Sequence, residues 1–403
     1  MSAKDERTRD VTIIGGGIQP SHVRQTNQRA ILSVISLRPG ISNAELARLT
    51  DLAPQTVSSV LADLEQRHLV LRGDVLRGKR GQPATPLYMN PVGAYSIGAE
   101  IGWRHIEVCL VGIGTQVLKS HRRHYDAPDA STVFGELAAA TDSLLADLSP
   151  ADRARVTGLG LSAPLTLGNP PELVVPDPAQ RRAWQALDIV AETKRATGLD
   201  TTLYVDGHAA CWAQRVANPA PRPLAFVFIL LDTCMSGGIV SENLLWQGAD
   251  GASGNLGELL VVGRDGKMRL AHELASLKTL DRLLRAAGHD LADLHAPTIP
   301  PAAAAVFEDT FLPDAAAALA QTIVNTTRVL AFELAVVESA LPPSLTARLV
   351  DATRRQIADV ALPGPQTPPI IPGHLGRSGA AEGAALLRMH RMFFSRDFAH
   401  MVV

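Results

Sequence analysis

Cysteine is scarce in this chain, and its scarcity excludes some classes of protein. Only Cys109, Cys211 and Cys234 occur among the 403 residues. Their odd number and wide separation argue against a disulfide framework and against a metal knuckle built from Cys-x-x-Cys pairs. We therefore expect neither a disulfide scaffold nor a cysteine-bound metal.

Long apolar runs are also missing. The longest run, residues 224–231 (LAFVFILL), suits one buried strand, because a membrane-spanning helix needs about 20 apolar residues. The N-terminal stretch MSAKDERTRD is charged rather than apolar, so we expect no secretory signal. These absences predict a cytoplasmic protein with no membrane partner.

Charge is nearly balanced over the chain but unevenly distributed. The net charge is −2, whereas residues 21–90 hold nine Lys and Arg against five Asp and Glu, a local net charge of +4. Such asymmetry is expected when one end of a chain meets a polyanion and the other does not. The length and the 46% apolar content suffice for two or three domains with buried cores.

The basic segment carries the pattern of a winged helix-turn-helix within residues 41–85, preceded by a helix expected over residues 23–36. Ser42 and Glu45 fit a capping box at the start of one helix, and Pro54 suits the first position of the next. Four apolar residues of that second helix recur at i, i+3, i+4 and i+7 and predict its buried stripe: Val57, Val60, Leu61 and Leu64. Residues 71–89 then predict two short strands around a glycine-rich, basic tip, the wing.

This pattern predicts double-stranded DNA as the partner. Short polar side chains at the front of a second helix are what a major-groove reader presents to base edges, and a basic wing contacts phosphates or the minor groove. The residues that we expect to contact DNA are Ser42, Gln55, Thr56, Ser58, Ser59, Lys79, Arg80 and Gln82. The alternative is a protein–protein module built from the same small helices and hairpin.

From residue 95 the pattern changes to strands alternating with helices. A three-strand meander followed by β–α units occurs twice, which predicts two related α/β lobes with a cleft between them. We expect a flexible tail at 1–20, a DNA-binding domain at 21–90, a first lobe at 91–215 and a second lobe at 216–403, whose last helix returns to the first lobe. After residue 240 we expect helices, with a proline-rich surface loop at 362–372.

Six motifs in a fixed order resemble the ROK family of repressors and sugar kinases, over about residues 22–395. They are the helix-turn-helix, the end of the wing at 81–91 (GQPATPLYMNP), and segments 158–164 (GLGLSAP), 205–210 (VDGHAA), 248–258 (GADGASGNLGE) and 375–385. The resemblance implies an α/β, two-lobed, actin-like (ribonuclease-H-like) sugar kinase fold behind the DNA-binding head. It also implies a homodimer or tetramer.

The kinase motifs that the resemblance implies are altered here. Phosphoryl transfer needs backbone N–H groups close to the phosphates, and therefore glycines. The family kinases carry Asp-x-Gly-Gly-Thr at the first strand turn, whereas this chain has Glu100-Ile101-Gly102-Trp103-Arg104, and we expect the Trp103 indole to fill space that a triphosphate requires. The second phosphate hairpin (232–238) keeps only its last glycines, and Glu338-Ser339-Ala340 replaces the adenosine-side glycines. We therefore predict that ATP binding is lost and that the chain is not an enzyme.

The resemblance also implies a sugar site. Asp206 matches the family's catalytic aspartate, which contacts a sugar hydroxyl. The effector residues that we predict are Asp206, His208, Asn255 and Glu258. The alternatives are a helix N-cap for Asp206, packing for His208, and ordinary turn roles for the other two. The segment 261–272, which matches the family's zinc segment, lacks cysteine, so we expect no zinc and no cofactor.

Together these features predict a transcriptional repressor of carbohydrate-related genes whose body senses a sugar and assembles the oligomer. Two alternatives stay open at this point. One is a bifunctional ROK sugar kinase with a DNA-binding head, which Asp206 favours. The other is a regulator without any small-molecule input.

Replacing both wing cations, Lys79→Ala with Arg80→Ala, should weaken binding to every duplex sequence, because phosphate contacts carry no sequence information. The slope of log affinity against log salt concentration should fall by about one for each phosphate that the variant no longer neutralises. Gln55→Ala is the control, since it should change which sequence is preferred. Gel-shift titrations at several salt concentrations measure both effects, and an unchanged double variant would show that the wing is wrongly assigned.

Overall fold

The computed structural model describes residues 20–74, 85–219, 221–248, 251–359 and 367–394. The predicted tail at 1–20 lies outside these residues except for Pro20, which begins a helix. The tip of the wing, with Lys79, Arg80 and Gln82, also lies outside them. Among the helices in the described ranges, none combines the length and the apolarity that crossing a bilayer requires.

The N-terminal head is a winged helix-turn-helix, as the sequence predicts. Its elements in chain order are α1 (Pro20–Leu37), α2 (Asn43–Thr50), α3 (Pro54–Gln66), β1 (Val70–Arg72) and β2 (Leu87–Met89). The capping box of α2 is present, because the Ser42 hydroxyl accepts the Glu45 N–H and the Glu45 carboxylate accepts the Ser42 N–H. Pro54 is the first residue of α3, and the predicted stripe of that helix is buried. β1 and β2 pair antiparallel as the base of the wing.

The first lobe is a five-stranded sheet in the order β5-β4-β3-β6-β7. Its elements are β3 (Tyr95–Ile101), β4 (His105–Gly112), β5 (Val117–His124), α4 (Val133–Ala146), α5 (Pro150–Arg153), β6 (Val156–Ala163), α6 (Pro178–Gln185), α7 (Ile189–Thr197), β7 (Thr201–Val205) and α8 (Asp206–Ala217). The meander β3–β5 is antiparallel, whereas β6 and β7 add in parallel. Every residue of β3 and β4 is buried, since the sheet is covered on both faces.

The second lobe repeats this plan in the order β10-β9-β8-β13-β14. Its elements are β8 (Phe226–Leu231), β9 (Met235–Ser241), β10 (Leu244–Leu245), β11 (Leu260–Val262), β12 (Met268–Leu270), α9 (Ala271–Leu274), α10 (Leu277–Ala286), α11 (Pro301–Ala305), α12 (Leu312–Val329), β13 (Leu334–Ser339), α13 (Pro343–Ala358), β14 (Ile370–Pro372) and α14 (Gly379–Phe393). β9 and β10 are antiparallel, and β13 and β14 add in parallel. The same strand order twice confirms the prediction of two related lobes.

The sequence prediction fails for the end of the chain, which is not helical throughout. The second lobe contains five strands after residue 241, and the supposed surface loop at 362–372 includes β14, whose Ile370 is buried. Prolines surround this short strand and hide it in the sequence. β14 tolerates them because it lies at the edge of the sheet, where an N–H group can be missing without loss of a ladder bond.

The last helix, α14, packs on the sheet of the first lobe and against α8. Small residues allow this contact, because a methyl group at Gly98 would lie 2.0 Å from the Ala381 carbonyl oxygen and one at Gly160 would lie 2.1 Å from that of Ala384. One apolar core joins α1–α3 of the head to α8 and α14 of the body. The head is therefore attached to the body by shared packing.

Gly160→Ala should destabilise the protein by about 1–3 kcal/mol, because the added methyl group forces α14 away from the sheet. Gly135→Ala is the matched control: a methyl group there meets no atom within 4 Å, and alanine favours the helix by up to about 1 kcal/mol. The midpoint of urea unfolding measures both changes. Equal midpoints for the two variants would mean that α14 does not approach the sheet this closely.

Candidate DNA-binding surface and effector cleft

The polar face predicted for DNA contact lies at the start of α3. Gln55 and Ser59 are exposed and Thr56 is half-buried. The exposed Ser58 hydroxyl donates to the Pro54 carbonyl at 2.9 Å and accepts from the Asn43 amide at 3.1 Å, which joins α2 to α3. These four side chains of α3 thus form one surface, and contact with DNA remains a prediction for each of them.

Ser42 has a structural role in addition to any DNA contact. Its hydroxyl donates to the Glu45 carboxylate at 2.7 Å, and these hydrogen bonds lower the pKa of Glu45. Two exposed arginines that the sequence reasoning missed, Arg38 and Arg48, add positive charge beside this cap. The net charge of the segment pointed to them, but their closeness to one another depends on the turn between α1 and α2.

Asp206 lies where β7 ends and α8 begins. Val205 is the N-cap and Asp206 is the first residue of the helix, so the N-cap interpretation of Asp206 is wrong by one position. The Asp206 carboxylate nevertheless accepts the Gly207 N–H at 2.6 Å. Burial raises the pKa of Asp206 to about 7, and the nearby charge of Glu100 acts in the same direction. The carboxyl group is therefore poised to exchange a proton near neutral pH.

His208, in the first turn of the same helix, is buried and contacts the glycine-rich loop at 251–255. Its Nε2 bonds the carbonyl oxygen of Ser253, and burial lowers the pKa of its imidazole. This bond fits the packing role, because it fixes the loop to α8. The loop continues through the half-buried Asn255 to the exposed Glu258. The structure thus places all four predicted effector residues around the N-terminus of α8 and the loop beside it.

The turn between β3 and β4 is covered by a histidine. The His105 ring covers Gly102, at which a methyl group would lie 2.8 Å from the ring, and its Nε2 is 3.2 Å from the Glu100 carboxylate. Burial is the largest single effect and lowers the pKa of His105, but the charge of Glu100, its hydrogen bond and the charge of Asp232 together outweigh burial, so the pKa is raised. Arg122 pairs with the buried Glu107 at 2.6 Å. Sequence reasoning missed His105 and Arg122, since their partners are set by strand register.

Among the described residues, Glu100, His105 and Glu107 bring possible metal-ligand atoms within 4.8 Å of one another. In the structure these groups pair with protein cations, because Glu100 faces the imidazole and Glu107 faces the Arg122 guanidinium. The same groups are therefore able to hold a cation only if those internal ion pairs open.

Trp103 does not fill the cleft as the sequence suggested. The indole is buried in the core of the first lobe with Ile101 and Ile106, and it is not among the described residues that line the cleft. Its backbone position at a tight turn misled the prediction, because the side chain turns toward the core beneath the sheet. His105 takes the place that was expected for the indole.

The interlobe cleft has a volume of about 500 Å³, and charged side chains from the two lobes meet across it. Arg104 of the first lobe donates to the Asp126 carbonyl oxygen at 3.0 Å, and its guanidinium lies 3.8 Å from the Asp281 carboxylate of α10 in the second lobe. Asp281 also pairs with Arg285 at 3.0 Å. Opening or closing the lobes must therefore change the Arg104–Asp281 separation.

A further carboxylate, Glu338, lies in the second lobe. It is buried at the end of β13, and its carboxylate accepts backbone N–H groups of Ser339 at 3.0 Å, Leu375 at 2.8 Å and Gly376 at 3.3 Å. Burial raises the pKa of Glu338, while these hydrogen bonds oppose that rise. The carboxylate thus ties β13 to the segment before α14.

A winged helix-turn-helix on a body of two repeated α/β lobes defines the class of protein that joins a DNA-binding head to an actin-like sugar-kinase fold. A model of the ROK family matches residues 96–391, and a model of winged helix-turn-helix DNA-binding domains matches residues 24–70. The chain belongs to the ROK family.

Individual relatives include repressors and kinases. The chain is 20% identical over 239 residues to the xylose repressor of Bacillus subtilis (strain 168), covering 59% of this chain and 61%, less than two thirds, of that protein. The chain also resembles the crystal structure of a ROK family transcriptional regulator, a homologue of the E. coli MLC protein. The match covers 94% of this chain and 98% of that regulator's chain, with 19% identity and a TM-score of 0.68. A ROK family glucokinase from Streptomyces griseus, in complex with glucose and AMPPNP, covers 73% and 99% at 17% identity and a TM-score of 0.57.

The raised pKa of Asp206 predicts that its contribution to folding stability falls as the pH rises. An aspartate in an ion pair has the opposite effect. An unfolded aspartate ionises near pH 4, whereas folded Asp206 ionises near its pKa of about 7. The folded state therefore loses stability as the pH rises between these values, and Asp206→Asn should gain stability relative to the native protein over the same range.

Asp200→Asn provides the control, because the hydrogen bond from Arg388 lowers the pKa of Asp200. The contribution of native Asp200 is fully present above its unfolded pKa, so this variant should be less stable than the native protein by a nearly constant amount across that range. Urea midpoints from about pH 4 to pH 8 measure both trends. Parallel curves for native protein and Asp206→Asn would contradict the burial of that carboxyl group.

Proposed function

We propose that this protein is a DNA-binding transcriptional repressor of carbohydrate-related genes whose two-lobed body binds a sugar or sugar derivative. The observation that carries the proposal is the shared core that joins α1–α3 to α8, the helix that begins with Asp206. A change at the effector cleft is thereby connected to the DNA-reading head through packed side chains. The relative named as a xylose repressor supports a sugar as the effector.

The DNA interface consists of the start of α3 together with its basic surroundings. We assign base reading to Gln55 and Ser59, whose side chains are exposed, with Thr56 and Ser58 beside them. Arg38 and Arg48 extend the surface as phosphate contacts, as do Ser42 and the wing residues Lys79, Arg80 and Gln82. One such head covers few base pairs, so specific binding calls for two heads on a palindrome and thus for a dimer or tetramer.

The effector site lies at the N-terminus of α8, with Asp206 as the principal polar contact and Asn255 and Glu258 on the adjacent loop. His208 orients that loop through the Ser253 carbonyl. Sugar binding between the lobes would alter the Arg104–Asp281 contact across the cleft. The proposed boundary at 90/91 falls between β2 and β3, whereas the one at 215/216, which separates 91–215 from 216–403, falls within the last turn of α8.

We further propose that the body does not transfer phosphate. Three groups stand against bound nucleotide: the His105 ring over Gly102, the ion pair between Arg122 and Glu107, and the Glu338 carboxylate that binds three backbone N–H groups. A triphosphate would place negative charge beside the carboxylates Glu100 and Glu338, which costs energy in a buried site. These groups favour a sensing body over a kinase.

A bifunctional sugar kinase is the second candidate, and Asp206 is the observation that favours it. A carboxyl group with a pKa of about 7 has the basicity that a general base requires. ATP-dependent phosphorylation of a sugar that disappears in Asp206→Asn would establish this candidate.

A binding experiment with the full chain tests the proposed repressor. Duplexes selected from a random library give the operator, and fluorescence anisotropy then measures affinity in the presence of xylose, glucose and other sugars. One sugar should weaken operator binding at least tenfold. Asp206→Asn should remove this response while leaving the affinity without sugar unchanged, because Asp206 lies away from α3.

Gln55→Ala is the reciprocal control, since it should weaken operator binding but leave sugar binding intact. No selected duplex at all would refute the DNA-binding function. A selected duplex whose affinity no sugar changes would refute sugar sensing and support a regulator without small-molecule input.

A further inference from the structure

A second cavity lies where the head meets the body, far along α8 from Asp206. It has a volume of about 280 Å³ and is lined by the end of α1, by α8, by β10 and by α14. Ser33 and Ser36 face it from the head, and Trp212 and Arg215 face it from α8. This volume approaches the lower limit of typical small-molecule sites.

The cavity concentrates positive charge. Arg215 and Arg222 both line it, while its described lining includes neither Asp nor Glu. Arg215 donates to the Asn243 side chain at 3.3 Å, and Arg222 donates to the carbonyls of Asn218 and Val216, both at 3.1 Å. Within the described ranges neither guanidinium forms an ion pair, and Nε of Arg215 is buried without a hydrogen-bond partner.

Burial and the charge of Arg222 lower the pKa of Arg215 to about 10. Two guanidinium groups held together and partly shielded from water repel each other and lose hydration, which is costly without an anion. A carboxylate or phosphate group would relieve both costs, since its oxygens match the planar donors of a guanidinium. The cavity therefore has the electrostatic character of an anion site.

An aromatic wall adjoins the two arginines. The Arg215 guanidinium carbon lies 4.8 Å from the centroid of the Trp212 ring, the His390 ring is 4.7 Å from Trp212, and the Phe394 ring is 5.9 Å from His390. Trp212, His390 and Phe394 all line the cavity. A ligand that fits both features carries an anionic group beside the arginines and a flat apolar group against the rings.

We propose that this cavity binds a small organic anion, a carboxylate or phosphate attached to an aromatic or similarly flat apolar group, at a site separate from the sugar cleft. The occupant contacts α1 of the head and both α8 and α14 of the body, so it fixes how the two meet. α8 carries Asp206 at its first residue and Arg215 in its last turn. The effect on DNA binding rests on the proposed function, whereas ligand binding itself does not.

Calorimetric titration of the full chain, without DNA or sugar, tests the site. Benzoate and phenyl phosphate are the anionic probes, and benzamide is the uncharged one. At least one anion should bind with an affinity at least tenfold higher than that of benzamide. Its binding should also quench tryptophan fluorescence. Binding of benzoate alone identifies a carboxylate site, and binding of phenyl phosphate alone identifies a phosphate site; either supports the proposal.

The double variant that combines Arg215→Gln and Arg222→Gln should bind the anion at least tenfold more weakly than the native protein. The control is Arg195→Gln, because Arg195 is exposed and pairs with Glu192 on the outer helix α7. The thermal midpoint of each variant, measured in parallel, distinguishes loss of the anion site from loss of the fold. Arg222→Gln alone, at a partly exposed position, gives a milder variant that should show an intermediate affinity.

Equal binding of benzamide and the anions, or native affinity in the double variant, would overturn the proposal. Residues 395–403 follow Phe394 and include Asp397, another source of a carboxylate. A chain ending at Phe394 distinguishes this source. If anions bind only to the shortened chain, the occupant is the protein's own C-terminal segment and the proposal of a free ligand is wrong.

Discussion

Close approach of backbones around α8 is the constraint on which the rest of the molecule depends. A methyl group at Gly207 would lie 2.4 Å from the Gly237 backbone, and one at Gly383 would lie 1.7 Å from the Ala209 carbonyl oxygen. Glycine thus lets α8 contact the second lobe on one side and α14 on the other. The effector residues at its start, the charged cavity near its end and the attachment of the head all follow from the position of this helix.

The same architecture accounts for the sensing role that we propose for the body. Three buried carboxylates have partners within the protein: Glu100 with His105, Glu107 with Arg122, and Glu338 with backbone N–H groups. The Arg122 guanidinium and the backbone N–H groups thereby compensate the buried carboxylates of Glu107 and Glu338. In the proposed function, Asp206 contacts a sugar hydroxyl while the protein's own side chains close the nucleotide side. We propose that a ligand changes the separation of the lobes through the cleft and the Arg104–Asp281 contact across it.

Local rules predicted the head well, because a capping box, a proline at the first helical position and an apolar stripe act within a few residues. The repeated lobes followed from alternating strand and helix patterns. The failures are non-local. β14 is hidden among prolines, the Trp103 side chain turns into the core, and the pairing of His105 and Arg122 depends on strand register. The cavity at the junction needs four elements that are distant in sequence, so no motif signals it.

The central claim is that the nucleotide side of the cleft is closed by the protein's own side chains. Calorimetric titration of magnesium ATP into the full chain, with the inducing sugar present at saturation, tests this claim most directly. The account predicts no saturable heat at millimolar ATP for the native protein. It predicts the same result for the variant His105→Ala, in which Glu338 is unchanged. Saturable ATP binding to the native protein, with a dissociation constant below the millimolar range, would contradict it.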